Sequence, residues 1–97
     1  MRMMLQATMD TEKGNELIRS GRMPELLGEM MRRLQPEAAY FTAEHGCRSC
    51  LMVFDMEDPS QLVTISEPLF MELGAEVVIQ PTMNVDDVER GLAAFQG

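Results

Sequence analysis

Three observations predict an α+β domain of the ferredoxin-like kind, β-α-β-β-α-β with an extra C-terminal helix. Residues 3–9, 39–45 and 76–82 alternate apolar and polar side chains with the period of a strand. Stripes of helical period, bounded by capping residues, fill the intervals. A further apolar segment, residues 50–54, follows the second strand after only a short turn holding Gly46. Two helix-bearing crossovers around one hairpin are the connections of a four-stranded antiparallel sheet with helices on one face.

The first strand sets Met3, Leu5, Ala7 and Met9 against Met4, Gln6 and Thr8. Asp10 or Thr11 then caps a helix with Glu12 in its first turn, where the helix dipole favours an acid, and Gly21 stops it. Pro24 restarts the helix as a first-turn proline, and Met23, Leu26, Leu27, Met30, Met31 and Leu34 line one side until Pro36. Residues 39–45 set Tyr40, Thr42 and Glu44 against Ala39, Phe41 and Ala43. Cys50-Leu51-Met52-Val53-Phe54 is apolar on both faces, as a strand central in a sheet would be. Asp58, Pro59 and Gln61 read as N-cap, first-turn proline and capping-box residue of the next helix. Its stripe is Leu62, Ile65, Leu69, Phe70 and Leu73, Gly74 ends it, and Pro68 is expected to kink it. The last strand sets Val77 and Ile79 against Glu76, Val78, Gln80 and Thr82. Asn84 then caps a terminal helix with Val85, Val88, Leu92 and Phe95 along one side.

Ninety-seven residues make one domain, and a chain of that size hides only about 60–65% of the surface its unfolded form exposes. With 45% hydrophobic and 25% charged residues, it is neither disordered nor collagenous. No apolar run approaches the roughly 18–20 residues of a membrane span, and the N-terminus lacks a signal-peptide pattern, so a cytoplasmic protein is expected. A net charge of −8 repels nucleic acid and anionic membrane alike. Eleven methionines against five aromatics mean a core filled by flexible thioethers and aliphatics.

Helices can cover only one side of such a sheet. The other would display Met4, Tyr40, Val78 and one face of the third strand, either Leu51 and Val53 or Cys50, Met52 and Phe54. Exposure on that scale marks an interaction surface, and a two-fold homodimer with sheets face to face is the economical solution. The alternative is a monomer whose C-terminal helix folds across the open face.

The run Pro36-Glu37-Ala38-Ala39-Tyr40-Phe41-Thr42-Ala43-Glu44 resembles the hallmark of a small bacterial family in the dimeric α/β-barrel superfamily. Met52-Val53-Phe54-Asp55, Asp58-Pro59-Ser60, Glu67-Pro68-Leu69-Phe70 and Gln80-Pro81-Thr82-Met83-Asn84 add to the resemblance. It implies a dimeric barrel and no particular activity. The wider superfamily includes cofactor-free monooxygenases, isomerases, haem-degrading enzymes and effector-binding modules, and fold alone does not choose among them.

Two sets of residues carry candidate chemistry. Gln6, Thr8, Tyr40, Thr42, Glu44, Gln80 and Thr82 alternate on three strands and would converge inside a dimeric barrel, as directing polar groups do in a mostly apolar binding site. They would equally serve as hydrogen-bonding groups across a dimer seam. The expected function is therefore a homodimeric module that binds or senses a small molecule at the sheet face. The alternative is a cofactor-free oxygenase or isomerase with Glu44 or His45 as base, Asp55 and Glu76 being further carboxylates for that role. The second set, His45, Cys47 and Cys50, has the look of a metal or redox motif. A structural zinc takes four protein ligands, however, and the chain holds only three Cys and His residues. Arg48 is the one local cation that could stabilise a thiolate. The expectation is hairpin residues without metal, and no cofactor.

Overall fold

Arg2–Thr8 forms β1, an inner strand of the sheet whose alternation buries Met3, Leu5 and Ala7 on one face. In the computed structural model, which describes residues 1–97, β1 is followed by α1 (Thr11–Ser20), α2 (Arg22–Leu34), β2 (Ala38–Glu44), β3 (Cys47–Asp55), α3 (Gln61–Leu73), β4 (Glu76–Pro81) and α4 (Val85–Gln96). The strands lie in the order β2-β3-β1-β4, every neighbouring pair antiparallel. This is the ferredoxin-like arrangement that the element order predicts.

Register decides which residues face inward. Leu5 lies opposite Met52 and Ile79, and Ala7 opposite Cys50 and Val77, so these side chains share the helix-covered face. With Met3 and Phe54 they join Met23, Leu26, Met30, Leu34, Ile65, Leu69 and Leu73 in one core. The predicted helical stripes are broader than the faces actually buried. Met31, Leu62 and Phe70 remain exposed, while Gly14 is the buried residue of α1.

The caps follow the sequence in most places. Asp10 accepts from the Lys13 backbone N–H at 3.1 Å, and Gly21, at φ 79°, both ends α1 and starts α2. Two boundaries differ in ways that matter to the fold, while α2 ends just before Pro36 as expected. β3 begins at Cys47 rather than residue 50, because the turn needs only His45 and Gly46, at φ 52° and 76°. Two successive left-handed residues give the tight hairpin whose twist matches the strands. α2 closes on Gln35 in the left-handed region, ahead of Pro36. α3 starts at Gln61, so Asp58 is not its N-cap. Asp58 instead accepts from the Ser60 N–H at 3.1 Å, and the Gln61 side chain accepts from the Glu57 and Asp58 N–H groups, in the turn ahead of the helix.

Pro68 lies inside α3, which runs on to Leu73. A proline has no N–H to offer the carbonyl four residues earlier. That carbonyl, Thr64 O, takes Arg33 Nη1 from α2 at 2.8 Å instead.

α2 and α3 are also joined through Arg22. Its guanidinium donates to both carboxylate oxygens of Glu29 (2.9 and 3.1 Å) and to both of Glu72 (2.8 and 3.1 Å). The hydrogen bonds from Arg22 hold the Glu29 carboxyl below its ordinary range. Those to Asp58 from Ser60, and to Asp87 from the Asn84 backbone, act the same way. A carboxylate lowered in the fold contributes stability above its unfolded pKa and loses it as pH falls through the folded value. Acid destabilisation should therefore set in below about pH 4. Glu29→Gln should be less stable at neutral pH and show a flatter acid limb when urea midpoints are measured against pH.

Candidate functional site

The same register that fills the core leaves the opposite sheet face bare. Met4, Leu51, Val53, Tyr40 and Val78 point there, resolving the third strand in favour of Leu51 and Val53, with Cys50, Met52 and Phe54 inside. Tyr40 is 65% exposed and Val78 48%. The alternative, in which the C-terminal helix of a monomer folds across this face, is not what the structure has. No residue of α4 is buried, so the helix does not cover this face.

At the hairpin end of the open face the predicted residues come together. Gln6 and Thr8 of β1, Glu44 and His45 at the end of β2, and Glu76 and Val78 of β4 line a trough of about 460 Å³. Asp10 and Cys47 complete its rim. Thr8 is held from behind the trough lining by buried Ser49, whose hydroxyl donates to Thr8 Oγ1 at 3.4 Å and to the Cys47 carbonyl at 3.3 Å. The lining has three carboxylates, from Asp10, Glu44 and Glu76, and no lysine or arginine. Such a surface disfavours anions.

The remaining candidates lie elsewhere. Tyr40 is opposite Leu51 farther along the face, and Gln80 is opposite Met4. Thr42 forms part of the wall of a cavity on the helix side. The Thr82 N–H donates to the Arg2 carbonyl at 3.1 Å, prolonging the sheet past β4. Asp55 is at the far end of β3, accepting from the Met1 nitrogen at 2.7 Å. Glu44 and His45 approach to 4.0 Å, with the His45 side chain 91% exposed. In a single chain both side chains stand open to solvent.

The two cysteines do not act as a pair. Three residues apart on one strand, their side chains point to opposite faces, Cys47 to the open side and Cys50 to the helix side. Both thiols are free, and burial pushes the Cys50 thiol up from its ordinary value. No three His, Cys, Asp or Glu side chains gather as a metal site.

Sequence reasoning missed the helix-side cavity, of about 280 Å³, between α1, α2 and the β2–β3 hairpin. Ile18, Met23, Leu27, Met30, Phe41 and Cys50 line it. The available signal was Phe41, an inward aromatic on an edge strand that the helices do not reach. The walls offer a ligand almost no polar groups to orient it, unlike the usual small-molecule site.

Neither a protein-family model nor a curated protein matches this sequence. Among solved structures, the chain is similar to a de novo designed protein, Ferredog-Diesel, with a TM-score of 0.48 and 12% sequence identity, over 84% of this chain and 85% of that one.

Proposed function

We propose that this protein is a homodimeric binding module in which two open sheet faces pack together and enclose a site for a small neutral or cationic molecule. The observation that carries the reading is the uncovered sheet face, with Met4, Leu51, Val53, Tyr40 and Val78 side by side and no element of the chain above them. A contiguous apolar face of this kind on a small domain is an association surface. The trough at its hairpin end supplies directing groups, Gln6, Thr8, Glu44 and His45, and its three carboxylates select against anionic ligands. Tyr40 and Gln80 extend the polar lining along the seam. A second copy over the trough would desolvate Glu44 and turn an open groove into a pocket.

Sedimentation velocity at micromolar concentration should give a dimer. Leu51→Glu, which adds a charge on the open face and leaves the helix-side core untouched, should give a folded monomer. Thermal-shift titration with matched small amines, neutral amides and carboxylates should raise the melting temperature with the first two classes only. A wild-type monomer, or a Leu51→Glu variant that dimerises normally, would sink the association reading. Stabilisation by the carboxylates alone would sink the ligand assignment.

A further inference from the structure

α4 carries an apolar stripe that its own domain does not use. Val85, Val88, Leu92 and Phe95 recur at the alternating three- and four-residue spacing of a narrow helix-packing seam. All four are exposed, Val85 at 71% and Phe95 at 89%. The molecule is correspondingly long, 56 × 27 × 18 Å, with a radius of gyration of 15.5 Å, against about 12.5 Å for a compact domain of this length. A helix of 12 residues has marginal stability in water without a packed face.

The start of α4 is nonetheless fixed. Asn84 and Asp87 form a capping box, with bonds of 2.8 and 3.1 Å. Arg2 Nη1 donates to Asp87 Oδ2 at 3.0 Å, tying the first turn to β1. The exit is thus held in place while the apolar stripe has nothing to cover.

We propose that α4 is an exchanged arm, its stripe packing on a second copy of this chain. The inference deepens the homodimer reading and rests on it for the identity of the occupant. Within one chain the anchored exit keeps α4 off the bare sheet face; between two chains the unpaired apolar surfaces can be covered together, as in exchange of an element between protomers. Charge points the same way. Residues 91–97 have no charged side chain, so this half of the arm can approach another copy of net charge −8 without direct repulsion. A membrane surface is a poorer occupant, because the polar side offers Asp86, Asp87 and Glu89 against Arg90 alone.

The test uses the full chain carrying Leu92→Glu and Phe95→Glu together, with circular dichroism to confirm folding and sedimentation equilibrium to measure dimerisation. Both sites are exposed, so the domain should fold. Dimerisation should weaken on the order of a hundredfold, each change occurring twice in a symmetric interface. In the wild type, hydrogen exchange over residues 85–96 should slow as protein concentration rises through the dimerisation range. Wild-type dimerisation by the double variant, or exchange in α4 independent of concentration, overturns the arm. If the double variant dimerises normally while Leu51→Glu does not, the arm falls and the sheet-face pairing stands. If the reverse holds, the arm stands and the sheet-face pairing falls.

Discussion

Phe54→Ala is expected to lower the unfolding free energy by about 3–5 kcal/mol, the usual cost of emptying a buried aromatic site. Phe54 is 2% exposed, on the helix side of β3 opposite Met3. A domain of this size commonly has only about 5–10 kcal/mol of stability in all, so the variant should lie close to its unfolding transition at room temperature. Phe70→Ala is the control. Phe70 belongs to the same kind of stripe but is 43% exposed, and its loss should change stability by less than about 1 kcal/mol. Urea titration followed by circular dichroism separates the two. Similar urea midpoints for both variants would mean that the packing of β3 against the helices is misassigned.

The second large effect has the opposite sign. Pro68→Ala should stabilise the protein by about 2 kcal/mol. Proline is roughly 3 kcal/mol less favourable than alanine inside a helix, and the greater freedom of the unfolded variant returns up to about 1 kcal/mol of that. The new N–H would bond the Thr64 carbonyl, which Arg33 Nη1 now occupies at 2.8 Å. Arg33→Met should therefore lower the melting temperature in the parent chain and have little effect in the Pro68→Ala background. Additive effects of the two substitutions would show that Arg33 does not serve as the substitute donor.

The contrast between these positions shows what a sequence can and cannot convey. Element order, the two crossovers and the capping residues Asp10, Gly21, Gly74 and Asn84 were legible because each depends on local chemistry. The open face was legible as far as Met4, Tyr40 and Val78. Which side of the third strand faces out was not, since all five residues 50–54 are apolar and only the pairing of Leu5 with Met52 decides it. The Arg33 bond to Thr64 joins separate helices and leaves no periodic trace. The candidate site was half legible. Alternation put Gln6, Thr8 and Glu44 on one face, but strand twist and sheet order gather them with His45 at one end and leave Tyr40, Thr42 and Gln80 apart. The apparent C-x-x-C motif failed for want of one boundary: once Cys47 belongs to the strand, the two thiols must diverge.

The position of β1 also governs when the domain can assemble. Leu5 needs Met52 on one side and Ile79 on the other, so β1 leaves the ribosome without a sheet partner until much later residues emerge. The β2–β3 hairpin, closed by His45 and Gly46, needs only its own neighbours. Local pairings form quickly and distant ones slowly, because a long loop must be closed before the contact rewards it. Synthesis therefore yields the hairpin first and completes the sheet last, when β4 seals β1 from the other side. Until then the apolar side chains of β1 remain open to chaperones or to other unfinished chains.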